Sequence, residues 1–226
     1  MLWWRVRLFD RHRHGRLVLE QVEGLPILVL PQVFNPKLFR TGELFVAAFT
    51  GRLIPFGSTV LDLGTGSGVG AIAAARWAER VVAVDVSPEA VRCARLNVLL
   101  NRVEDRVDVR EGDLFAPVAG ERFDVVLFNP PYFRGSPRDL LDRAWRSNDA
   151  VERFAAGLDA HLTDRGHALV ILSSDGDSET FLRVFRECGF DIGAELRRDL
   201  INEVVTVYRL SRGPALSEGR SEDAPC

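Results

Sequence analysis

From residue 59 onward, short apolar runs alternate with longer stretches whose apolar residues recur at helical spacing. Residues 59–63, Thr-Val-Leu-Asp-Leu, form an apolar run that stops at a glycine-rich turn, and residues 69–78 are alanine-rich and helical in pattern. Residues 80–84 are a second run, ending in Asp85. Ser87-Pro88-Glu89-Ala90 has the makeup of a helix start, with a serine able to cap and a proline where no donor is needed. That helix is predicted to continue towards Asn101, with strands to follow over 107–110 and 123–128. A helix over 151–162, a strand over 167–172 and a helix over 178–187 extend the alternation. Residues 190–196 and 203–210 break it, because two alternating runs follow each other directly and read as an antiparallel hairpin. Strands alternating with helices imply a parallel sheet with right-handed crossovers. The expected fold is α/β, a seven-stranded, mostly parallel, doubly wound, Rossmann-like sheet whose last strand is antiparallel.

The first part of the chain has a different pattern. Residues 3–9 and 17–22 read as strands joined by an Arg13-His14-Gly15 turn, residues 26–30 as a further strand, and residues 44–53 as a helix leading into the main domain. The expected organisation is a small β-rich cap over 1–33, the α/β domain over 34–210 and a disordered polar tail over 211–226. No apolar run reaches membrane-span length, and charge interrupts the start too early for a signal peptide, so the chain reads as cytoplasmic. Cys93, Cys188 and Cys226 lack metal-ligand spacing, and no metal is expected. A formal net charge of −3 argues against a general nucleic-acid-binding surface. Arg5, Arg7, Arg11, Arg13 and Arg16 do crowd the start, where they can meet an anionic partner. Arginine is the default cation of this chain, however, Lys37 being its only lysine, and a solvated hairpin explains the cluster more simply.

The candidate chemistry falls at the carboxyl ends of the predicted strands, where ligands lie on such sheets. Asp62-Leu-Gly64-Thr65-Gly66-Ser-Gly68 follows the first strand of the α/β region and opens a helix. Gly66-x-Gly68-x-x-Ala71 with Asp85 downstream also satisfies a dinucleotide fingerprint, so a nicotinamide enzyme has to be weighed. Asp62 counts against it, since a carboxylate before the glycines faces a pyrophosphate badly but suits the cationic amino-acid end of S-adenosylmethionine. Asp85 is placed to accept from two ribose hydroxyls, and Asp113 from an adenine amino group.

Asn129-Pro130-Pro131-Tyr132 closes the run 123–128. Two prolines cannot continue a central strand, because they lack the donor and fix φ. They hold the Asn129 side chain and the Pro130 carbonyl as two acceptors, able to bind both hydrogens of an amide or amino group and turn its lone pair towards a methyl donor. Tyr132 offers a flat face for a planar acceptor. No histidine base is expected, since His12, His14, His161 and His167 lie away from these strand ends.

The residues 60–68 motif together with Phe128-Asn-Pro-Pro-Tyr132 resembles the HemK-like class I methyltransferases, which carry the Asn-Pro-Pro-Tyr motif and include release-factor glutamine N5-methyltransferases and relatives acting on nucleobase amino groups. The resemblance runs over about 33–210. It implies that Asp62, Gly64, Thr65 and Gly66 hold the methionine end of S-adenosylmethionine, with Thr41 beside them. It further implies that Asp85 and Val86 hold the ribose, Asp113 and Leu114 the adenine, and Asn129, Pro130 and Tyr132 the acceptor nitrogen. Three departures stand out: the aromatic-x-Pro segment Phe34-Asn-Pro36 is followed, one residue later than in the family, by Arg40-Thr41 where the family has an acid before the Thr or Ser; Ser147-Asn148 stands where a short branch has paired glycines after Ala-Trp; and the start matches no substrate-binding domain. The leading expectation is N-methylation of a planar nitrogen, foremost a protein glutamine amide. Methylation of an RNA or DNA base, methylation of a small molecule, and a non-catalytic cofactor-binding partner subunit are the alternatives.

Overall fold

The computed structural model describes residues 16–38, 40–131, 133–135, 146–200 and 203–213. The expected strand over 3–9, its turn at 13–15 and Tyr132 lie outside the described residues. Two strands, β1 (Val18–Val22) and β2 (Leu25–Val29), pair antiparallel with Val22 opposite Leu25. Their turn residues Glu23 and Gly24 both have positive φ, 49° and 76°, the left-handed pair that tight hairpins require.

A short helix α1 (Thr41–Ala47) leads to β3 (Thr59–Leu63), α2 (Val69–Ala74), β4 (Arg80–Asp85), α3 (Pro88–Leu100), β5 (Val107–Glu111) and β6 (Phe123–Phe128). A two-residue parallel ladder joins β7 (Phe133–Arg134) to β8 (Arg146–Ser147). Helix α4 (Ala150–Leu158), β9 (Leu162–Ser173), α5 (Ser178–Glu187), β10 (Phe190–Asp199) and β11 (Val204–Arg212) complete the order. The seven-stranded sheet has the order β10-β11-β9-β6-β3-β4-β5. β11 is the antiparallel member, pairing with both β9 and β10, and the remaining pairings run parallel.

Alternate residues of the central strands enter separate cores. Val60, Ala83 and Val125 pack with α1, α2, α3 and the β1–β2 hairpin. Leu61, Leu63, Val82, Val126 and Phe128 pack with α4 and α5. Burial on both faces explains why these strands read as continuous apolar runs rather than alternating ones. Ser87 caps α3 as expected, accepting from Ala90 N at 3.3 Å. The α1 helix stops well short of residue 53, because the chain turns at Thr50, whose carbonyl accepts from both Leu53 and Ile54.

One buried amide fastens the hairpin to the domain. Asn97 of α3 is fully buried; its Nδ2 donates to the carbonyls of Leu28 and Ser67 at 2.7 and 2.8 Å, and its Oδ1 accepts from Leu28 N at 2.7 Å. Hairpin and glycine-rich turn therefore share a single side chain.

Candidate active site

Strand register aligns the predicted site residues. Leu63 pairs with Phe128 on one side and with Val84 on the other, and Asp85 pairs with Glu111. Asn129, Gly64, Asp85 and the turn at Gly112-Asp113 thus leave four neighbouring strands, β6, β3, β4 and β5, at one end of the sheet. At about 4.8 Å per strand, the row spans about 14 Å. The chain order reverses between β3 and β6, the position at which open α/β sheets form a ligand crevice.

A cavity of about 530 Å³ fills that crevice. Asp62, Gly64, Thr65, Gly66, Asp85, Val86, Asp113, Leu114, Asn129 and Pro130 all line it. Thr41 is not among its lining residues: it is buried at the start of α1, its hydroxyl has no hydrogen-bond partner among the described residues, and its neighbour Gly42 reaches the cavity instead. Asp113 lies two residues beyond the end of β5 rather than at it, in a turn where Ala116 N donates to its carbonyl.

The turn after β3 is built around Asp62. Its Oδ2 accepts from Thr65 Oγ1 at 2.6 Å and from Ala71 N at 2.9 Å, leaving Oδ1 for a further donor. A side chain at Gly70 would strike this carboxylate, since a Cβ there would sit 2.9 Å from Oδ2. Burial is the main cause that pushes the Asp62 carboxyl up to about 6; the Thr65 and Ala71 bonds oppose it, and the nearby Asp85 adds to it. Asp85 accepts from Gly66 N on one oxygen and from Ser87 N on the other, at 2.8 and 2.9 Å, and the Val86 backbone adds to these, so the carboxylate is fixed. Burial raises its pKa as well. Gly66 combines φ 56° with open space beside it, its nearest neighbours at the Cβ position being Gly64 O at 3.9 Å and Phe34 Cβ at 4.0 Å. A side chain there would be strained and would enter the cavity.

Residues outside the expected binding set complete the walls. Gln32, Phe34 and Pro36 form one side, and Ser147, Asn148, Asp149 and Arg153 another. The 32–38 segment is held by Asn35, whose Oδ1 accepts from Lys37 N and Leu38 N while its Nδ2 donates to Glu20. Pro36 packs against Gly42 so closely that a Cβ at Gly42 would lie 2.6 Å from Pro36 Cβ. The aromatic-x-Pro pattern was the available signal for this wall; nothing in the local sequence marks Arg153, which depends on how α4 docks. His161 and His167 are away from the cavity, His161 stacking on Phe115 and His167 meeting the Leu53 carbonyl at 2.9 Å.

A model of the methyltransferase small domain family matches residues 24–191. The chain belongs to the methyltransferase small domain family. This methyltransferase is 30% identical over 203 residues to a Methanocaldococcus jannaschii protein provisionally named a protein N5-glutamine methyltransferase, with 84% of this chain and 98% of that one covered. It is 32% identical over 181 residues to a release factor glutamine methyltransferase of Geobacter sulfurreducens, covering 74% of this chain and 62% of that relative, so it spans somewhat under two thirds of the latter's length. Its fold matches a chain of the E. cuniculi Mtq2–Trm112 complex, titled as responsible for methylating the eRF1 termination factor, with a TM-score of 0.61, 21% identity and coverage of 80% and 99%. Among the described residues no helix is long and apolar enough to cross a membrane, and no cluster of side chains has the makeup of a metal site.

Proposed function

We propose that this methyltransferase uses S-adenosylmethionine to methylate the side-chain amide nitrogen of a protein glutamine. The observation that carries the reading is the single cavity in which Asn129 and Pro130 adjoin the Asp62, Asp85 and Asp113 row. The donor set suits this cofactor. Asp62 is a buried carboxylate with an oxygen left over, fit for an ammonium, and Asp85 is a fixed acceptor pair, fit for a diol. A nicotinamide dinucleotide fits poorly, because its pyrophosphate would meet two buried carboxylates.

When bound, the cofactor supplies an activated methyl group, so the protein's task is alignment. Asn129 Oδ1 and the Pro130 carbonyl accept the two amide hydrogens, which fixes the amide plane and presents the nitrogen lone pair, perpendicular to it, towards the row at Gly64. As the nitrogen takes the methyl carbon from the sulfonium it gains positive charge, which the two acceptors hold better than they hold the neutral amide, and one of its two hydrogens then leaves as a proton to solvent. The glutamine reading draws on the names of the relatives, one of which this chain covers to 98% of its length.

The test is incubation of the full chain with methyl-labelled S-adenosylmethionine and cell extract, followed by separation of protein, RNA and small molecules. Label in protein, recovered as N5-methylglutamine after enzymatic digestion, is expected. Label confined to RNA or to small molecules would overturn the substrate, and calorimetry showing NAD bound in preference to S-adenosylmethionine would overturn the cofactor.

A further inference from the structure

Arg153 and Asp113 meet at the adenine end of the cavity, on helix α4 and on the turn after β5. Arg153 Nη2 donates to Asp113 Oδ2 at 2.6 Å, and both residues line the cavity. The next residue of α4 grips the same turn: Phe154 stacks on Phe115 with ring centroids 5.9 Å apart and planes 21° apart. One turn further on, Gly157 lets α4 approach so closely that a Cβ there would lie 2.6 Å from the Phe115 ring. Between these anchors Leu114 is held at φ 46°, a left-handed conformation that a leucine rarely adopts unaided. The turn 113–115 therefore takes its shape from α4.

We propose that Arg153 is the positioning residue that makes the pocket selective for a base carrying an exocyclic amino group. The inference rests on reading the cavity as an S-adenosylmethionine site. A carboxylate at the end of a half-exposed side chain rotates freely, and a rotating acceptor discriminates poorly. The guanidinium takes up Oδ2 and fixes the carboxylate plane, so that Oδ1 is presented as an acceptor of set direction. Arg153 has donors only and cannot take the place of that acceptor, so it acts through Asp113. A base that lacks the amino group leaves the fixed oxygen without its donor, which is how polar sites reject close analogues. Both side chains of the pair are about half exposed, at 47% and 49%, and such a pair adds little to folding, so removing it leaves the protein intact.

Calorimetry on the full chain tests this with two probes, S-adenosylhomocysteine and its analogue with purine in place of adenine. Wild type is expected to prefer the amino-bearing probe by about tenfold or more, one well-made hydrogen bond to a charged group. Arg153→Ala should weaken S-adenosylhomocysteine binding about fivefold and reduce the preference to about two- or threefold, while the purine analogue binds nearly as before. Arg153→Lys should fall between, since it keeps the charge but not the planar fork. In an Asp113→Asn background Arg153→Ala should have no further effect on the preference, as expected for two groups acting as one. An Arg153→Ala protein that keeps the wild-type preference overturns the proposal and leaves the cofactor reading standing. Wild type that binds neither S-adenosylmethionine nor S-adenosylhomocysteine overturns the cofactor reading itself.

Discussion

Asp62 combines two demands that conflict. Burial raises its carboxyl to about 6, yet an ammonium ligand needs the carboxylate. Binding of the amino-acid end should therefore weaken as pH falls through 6, by up to about tenfold per pH unit below it. Calorimetry between pH 5 and 8 measures this, and Asp62→Asn should both weaken binding and flatten the profile. In the proposed mechanism Asn129 faces the acceptor rather than the cofactor. Asn129→Ala is expected to slow methyl transfer about a hundred- to thousandfold in single turnover, the usual cost of losing one preorganised polar group. Cofactor affinity should stay within about twofold. A wild-type rate in that variant would remove Asn129 from the mechanism. These two residues were readable from the sequence because each stands at the end of an apolar strand, where a polar side chain has only the crevice to face. Arg153 was not readable, because its role depends on the docking of a helix forty positions away from Asp113.

At the scale of elements, α3 has an unusual load. Asn97 satisfies the backbone of Leu28 in both directions and also takes the Ser67 carbonyl. Asn97→Ala leaves three buried backbone groups without that partner and should cost about 2–4 kcal/mol, read as a shift in urea midpoint with unchanged m. The helix itself was legible from Ser87 and Pro88, whereas the role of Asn97 was hidden, since a single polar residue on a helix gives no sign of which two distant segments it joins. The same holds for the β1–β2 hairpin. Its turn at Glu23-Gly24 follows local chemistry, but its seat against α3 is a tertiary matter. Gly68 shows both kinds of constraint at once. Its φ of 83° is a turn requirement visible in the glycine-rich motif, and its contact with α3, a Cβ position 3.1 Å from Ala94, is not.

For the whole molecule, two buried groups pull acid stability in opposite directions. Burial holds His167 down to about 4, below its ordinary 6.5, so the unfolded chain takes up a proton that the folded one refuses. Stability from this group is full above pH 6.5 and is lost as pH falls towards 4. Asp62, raised to about 6 from 3.8, works the other way, and the burden of its charge is relieved as pH falls through 6. His167→Gln should therefore give a shallower acid loss than wild type, and Asp62→Asn a steeper one, in urea unfolding between pH 4 and 7. The parallel strands were legible because burial on both faces leaves its mark on the central ones, and the antiparallel last strand because two strand-like runs follow each other with no helix between them; the order of the strands was not legible. The cavity walls were only partly legible: 32–36 is a loop marked only by its aromatic-x-Pro pattern, and Arg153 lies on a helix whose docking leaves no local sign. The row of four strand ends also has an evolutionary consequence. In the proposed reading residues 62–113 supply most of the donor end, with Arg153 joining them from α4, while the acceptor end draws on residues 129–131 and 147–149, so most of each end is encoded in its own block of sequence. A lineage can thus diverge in what it modifies by changing the later residues of the cavity wall while inheriting the earlier block unaltered.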